Sequence, residues 1–331
     1  MPAQITHYLC GQAVLSALPY DTSITIRKYH NLYNVGAQGP DIFFYYITGM
    51  LKKRFRGMAH KMHGSNVGNF IRAMAEGLKD MPQELTETRE ASLAYFCGYL
   101  THYCLDCATH PYVYFKTGFK KQGEKGSRLK YSAYHVRFET SIDTLMLKLI
   151  KGIEPKEQNF WRIIKTTKKE AATAADFIGD CITKAYKIPT LGKNVISAME
   201  HMVFITRIIQ SNKGRRKRLL AFAESMIYKE QLFSSLIHQQ KVDDGLDYLN
   251  EKKTPWNVPW DKNISSDSSF QELFNIGINE SINLINLLQK YLNAGLAIEE
   301  FLNAAGDRSL NSGQPIGDNI IFKHHDIIYR S

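Results

Sequence analysis

The sequence predicts an all-α fold, on three observations. Apolar residues recur at three- and four-residue intervals along most of the chain, as on one face of a helix. Strand-like alternation is scarce. Side chains able to bind a metal stand four apart in two short segments, a spacing that stacks them on one helical face.

The elements follow in order. Leu85–Leu105 opens on a capping-box-like Thr86-Glu-Thr-Arg-Glu90 and continues with Leu93, Phe96, Cys97 and Leu100. Ser141–Ile150, Asn159–Tyr186, Val195–Gln210, Arg218–Gln240 and Ser268–Leu292 carry the same pattern. Loops are expected at Tyr33–Asp41, Lys116–Lys130, Gly152–Lys156 and Glu251–Asp267. The last contains Trp256 and Trp260 between prolines, and large apolar groups argue that it packs against the body. Neither an internal repeat nor a long linker is visible. Residues 1–331 are therefore expected to form one domain, with a metal-ligand core over 1–150, a helical portion over 151–303 and a tail over 304–331.

Composition narrows the function. Hydrophobic residues make up 44% and charged residues 22% of the 331, which suits a sizeable core. The net charge of +10 favours anionic partners such as phosphates, lipid head groups or nucleic acid. No apolar run approaches the roughly 18–20 residues of a membrane span. The start, MPAQITHYLCGQAVL, lacks the basic lead of a signal peptide. A cytoplasmic protein is expected, with at most peripheral membrane contact. Five cysteines suit a reduced compartment, and Cys104 and Cys107 read as small core residues despite their CxxC spacing.

The chemistry concentrates in Tyr99–Pro111 (YLTHYCLDCATHP), which carries His102, Asp106 and His110, and in YHVRFE, with His135 and Glu139. Imidazole and carboxylate are ligands for zinc and its neighbours. One such pair alone would be a solvated face; this density points to a polynuclear metal site. Pro111 biases His110 away from helical geometry and towards a helix end. In GAQGPD, Gly36, Gly39 and Pro40 make a tight turn that delivers Asp41. RGMAHKMHGSNVG offers His60 and His63, and its glycines suggest a loop. His7, in THYLCG, reads by itself as a core histidine.

HYCLDCATHP followed about 25 residues later by HVRFE resembles the zinc-dependent phospholipase C family, relatives of which include the S1/P1-type nucleases. GAQGPDIFFYY is similar to that family's aspartate turn, and MHGSNVGNF to its histidine turn, which selects His63 over His60. The motifs cover Met1 to about Ile150, and the likeness continues through DYLNEKKTPWNVPW and SFQELF. The resemblance implies two or three zinc ions. Asp41, His63, His102 and Asp106 would hold one, and His110, His135 and Glu139 another. His7 would take a third, with Asp106 as the bridging carboxylate. Secreted members complete the third site with an N-terminal tryptophan; this chain begins Met-Pro, so the expectation is either that Pro2 substitutes or that the third site is weak or completed by water.

The resemblance further implies hydrolysis of a phospholipid or smaller phosphodiester. Asp41 and Asp106 are the candidate catalytic carboxylates, Asp41 as ligand or as the base that orients water, and Asp106 as the bridge. An S1/P1-type nuclease acting on nucleic acid is the enzyme rival, and a fold with purely structural metals the rival of another class. The basic segment Lys116–Lys130 is the expected phosphate- or membrane-facing element, and Lys213–Arg218 a solvated helix start. Phe43, Phe44, Tyr45 and Tyr46 are expected in the core, with an acyl or head-group pocket as the alternative.

Overall fold

A computed structural model describes residues 4–47, 52–120, 128–210, 242–293 and 295–329. The described residues are all-α apart from one small hairpin. Helices α1 (Gln4–Ala17), α2 (Tyr20–Lys28) and α3 (His30–Gly36) lead into a 3₁₀ turn, Gly39–Tyr45. Then come α4 (Lys52–Gly64), α5 (Val67–Asp80), α6 (Thr86–Thr117) and α7 (Arg128–Lys151). The short α8 (Phe160–Ile163) precedes α9 (Lys168–Tyr186) and α10 (Gly192–Gln210). Antiparallel strands β1 (Trp256–Val258) and β2 (Asp261–Ser266) are followed by α11 (Phe270–Leu292) and α12 (Ile298–Ala305).

The long α6 is the axis. It is apolar on nearly every side, so it is buried from Ala91 almost to its end, and α1, α2, α3, α7, α9 and α11 pack around it. Its crossing with α3 is close because both helices present a glycine. A Cβ on Gly36 would lie 2.0 Å from the Tyr95 carbonyl oxygen, and one on Gly98 would lie 2.1 Å from that of Tyr33. The Tyr33 hydroxyl donates to the Gly11 carbonyl at 2.7 Å and ties the pair to α1.

Several local expectations need correction. Pro111 does not end α6, which continues to Thr117 with His110 inside it. Pro111 has no N–H for the Cys107 carbonyl one turn back, and the Gly313 backbone packs against that oxygen instead. His60 and His63 are helical, because the glycine after them closes α4 rather than opening a loop. Tyr33–Gly36 belongs to α3. Asn159–Tyr186 is two helices, since Thr167 and Glu170 form a capping box that starts α9 afresh. Helix α6 grows directly out of a 3₁₀ turn at Gln83–Leu85, with Leu85 rather than Thr86 as its N-cap. Lys116 lies within α6 and is buried. Glu251–Asp267 contains the hairpin, with Trp256 packed on Tyr112 of α6. The helix expected at Arg218–Gln240, the basic run Lys213–Arg218, residues 121–127 and Pro2 lie outside the described residues.

Candidate metal centre

Five elements converge on one buried cluster. The central α6 presents His102, Asp106 and His110 at four-residue intervals. Helix α7 brings His135 and Glu139, α1 brings His7, the 3₁₀ turn brings Asp41 and the end of α4 brings His63. Gly39 makes this possible. Its φ is +52°, and a Cβ there would sit 2.3 Å from the His102 ring, so only glycine lets the turn pass over that imidazole.

Asp106 is the hub. Its Oδ1 lies 3.2 Å from His7 Nε2, and its Oδ2 lies 3.0 Å from His102 Nε2, 3.7 Å from His110 Nδ1 and 3.9 Å from His63 Nε2. The two oxygens therefore face different histidines. His63 Nε2 also stands 3.1 Å from Asp41 Oδ1. Glu139 Oε1 lies 3.1 Å from His135 Nε2 and 3.4 Å from His110 Nε2. Among the described residues, three groups have donor atoms within 4.8 Å of one another: His7, His102 and Asp106; Asp41, His63 and His102; His110, His135 and Glu139.

Backbone carbonyls hold three of the rings. His63 Nδ1 faces Ala59 O at 2.8 Å, His102 Nδ1 faces Ala37 O at 3.3 Å and His110 Nδ1 faces Leu310 O at 2.6 Å. A carbonyl only accepts, so each Nδ1 carries the hydrogen and each neutral ring turns the Nε2 lone pair to the cluster. The lone pair of neutral His102 Nε2 then faces an Asp106 oxygen at 3.0 Å, and Asp41 Oδ1 and His102 Nε2 are buried with no hydrogen bond. A cation relieves both, and this mixture of imidazole and carboxylate suits zinc.

The metal-free electrostatics show the same strain. Burial alone would raise the Asp106 carboxyl, but His102, His110 and His7 hold it well below the usual carboxylate range. Burial would likewise raise Glu139, and His135 and the His110 hydrogen bond outweigh it. Burial opposes the His110 imidazolium, yet Asp106 and Glu139 raise its pKa to about 9. For His102 burial wins, and its pKa is lowered.

The cluster forms the floor of a cleft of about 600 Å³, lined also by Phe44, Arg56, His60, Tyr114, Phe119, Lys120, Tyr131 and Asn311. The aromatic run after Asp41 thus divides: Phe43, Tyr45 and Tyr46 are core, and Phe44 lines the cleft. His60 is exposed where His63 is buried. The five cysteines are free and buried, Cys104 and Cys107 among them. Arg56 escaped the sequence reading, although 56, 60 and 63 share a helical face once that segment is taken as a helix. Leu310, some 200 positions from His110, left no signal in the sequence.

A model of the zinc dependent phospholipase C family matches residues 6–189, more than half of the chain. The chain belongs to the zinc-dependent phospholipase C family. No curated protein and no solved structure matches it. The match in this phospholipase C family member spans every one of the eight cluster residues and stops short of Leu310. Among its described residues no helix is long and apolar enough to cross a membrane.

Proposed function

We propose that the protein is a metal-dependent phosphodiester hydrolase of the phospholipase C type, with the eight cluster residues as ligands for two or three zinc ions. The observation that carries this reading is Asp106, whose two oxygens face separate histidine sets at the floor of an open cleft. A structural metal site is closed, whereas a catalytic one keeps a position for water or substrate.

Zinc in such a site supplies Lewis acidity towards phosphate oxygens and makes water acidic enough to act near neutral pH. The chain's own residues do the rest. Asp41 and Asp106 hold negative charge at the centre of the cluster. Asp41 Oδ1, with no hydrogen bond of its own, is placed to ligate a metal or to orient an attacking water. The carbonyls of Ala59, Ala37 and Leu310 fix three imidazoles in the ligating tautomer. Phe44, Phe119 and Tyr131 give the cleft apolar walls on which an acyl or glycerol portion can lie. The chain acts as one unit over residues 1–331, since its tail contacts the cluster, and Lys120 is the described part of the basic segment that faces the cleft.

Elemental analysis of the purified chain, with hydrolysis of a chromogenic phosphodiester before and after chelation, tests the proposal. Two or three zinc equivalents and turnover restored by zinc are the expected result. Bound zinc with no turnover on any diester would leave a structural site and end the hydrolase reading.

A further inference from the structure

The cleft contains a second chemistry that the metal groups do not use. Arg56 and His60 stand one turn apart on α4, and His63 follows on the same face. Arg56 lines the cleft, and its Nε donates to the Phe44 carbonyl at 3.1 Å, which anchors the base of the guanidinium there. The side chain is half-buried, and burial lowers its pKa without removing its charge. Among the described residues no carboxylate forms an ion pair with it. A partly desolvated arginine without an anion is costly, and its planar fork matches phosphate oxygens. The carboxylates lining the cleft are Asp41, Asp106 and Glu139, all within the metal groups. Outside the cluster, and among the described residues, the lining carries only the positive charges of Arg56 and of the exposed Lys120.

We propose, building on the phospholipase reading above, that Arg56, with Lys120 at the mouth, binds a second phosphate carried by the substrate head group beyond the scissile one. The substrate is a phospholipid with a phosphorylated polyol head group. Arg56 and His63 are seven positions apart, roughly 10 Å along the helix axis. A second phosphate across a six-membered polyol ring from the first can span such a gap. A trimethylammonium group in the same position would meet two like charges with no facing carboxylate.

Calorimetry on the zinc-loaded full chain tests this independently of turnover, with inositol 1,4-bisphosphate and phosphocholine as probes. The bisphosphate should bind at least about tenfold more tightly, the range of one or two charge-assisted hydrogen bonds. Arg56→Gln should abolish most of that preference, and Arg56→Lys should restore part of it. Equal affinities, tighter phosphocholine, or an equal loss for both probes in Arg56→Gln would overturn the proposal. Should Arg56→Gln fail to fold, the wild-type ranking and Lys120→Gln still decide. Tighter binding of a pentathymidylate than of the bisphosphate would also overturn it, in favour of a nucleic-acid strand. The chromogenic diester assay reports separately on the hydrolase reading: no turnover with the preference intact rejects that reading and leaves the anion site standing.

Discussion

The backbone of Leu310 holds the imidazole of His110: the Leu310 carbonyl accepts from His110 Nδ1 at 2.6 Å, while the Leu310 N–H donates to the His63 carbonyl at 2.8 Å. One residue of the tail therefore joins the α6 and α4 contributions to the cluster. Ser309 adds a bond from its hydroxyl to the same His63 carbonyl at 3.2 Å.

A chain ending at Gly306 tests this link. It keeps the Ala305 and Gly306 carbonyls that receive the Tyr103 hydroxyl, and removes Leu310. Zinc affinity is expected to fall about 10- to 100-fold, the usual cost of losing a partner behind a ligand histidine. Unchanged affinity in a competition titration would show that the tail does not position His110.

Asp143 performs a similar service at the other end of the chain. One oxygen accepts from the Thr6 N–H and from the Thr6 hydroxyl, each at 2.7 Å, and the other from the Ile5 N–H at 3.2 Å. This buried carboxylate on α7 thus satisfies open N–H groups in the first turn of α1, which carries His7. Asp143→Ala should destabilise the chain by about 2–4 kcal/mol and lower its zinc content. Thermal unfolding of chelated and zinc-loaded protein reads both effects; a normal melting temperature would refute the role.

Asp106 and His135 differ in reach. Asp106 faces four histidines, whereas His135 belongs to a single group with His110 and Glu139. Asp106→Ala is expected to lose more zinc than His135→Ala. Elemental analysis of the two variants side by side decides; equal losses would deny that Asp106 is shared.

Zinc uptake should release protons. The His110 pKa in the metal-free protein is about 9, above its ordinary 6.5. Its protonated form therefore stabilises the metal-free fold fully below pH 6.5, and that contribution is lost as pH rises through about 9. Ligation requires the neutral ring. At pH 7 zinc binding should expel this proton, and affinity should rise with pH up to about 9. Calorimetry in buffers of unlike ionisation enthalpy measures the release, and buffer-independent heats would contradict the assignment.

The sequence by itself determined the helical class and the ligand-type pattern His102, Asp106, His110, His135 and Glu139, whereas Asp41, His63 and His7 entered the ligand set only through the family resemblance. Those signals are local: a four-residue spacing fixes a shared helical face whatever the rest of the chain does. It also pointed to glycine in the aspartate turn. It misplaced His110 at a helix end because the bias from Pro111 is a local preference, and packing around a buried helix outweighs it. Only the tertiary structure decided which oxygen of Asp106 faces which histidine, which carbonyls hold the rings, and that Arg56 shares the cleft. Leu310 and His110 are 200 residues apart, and Asp143 and Thr6 are 137 apart. Bonds of that kind depend on how helices dock, and no spacing along the chain encodes them.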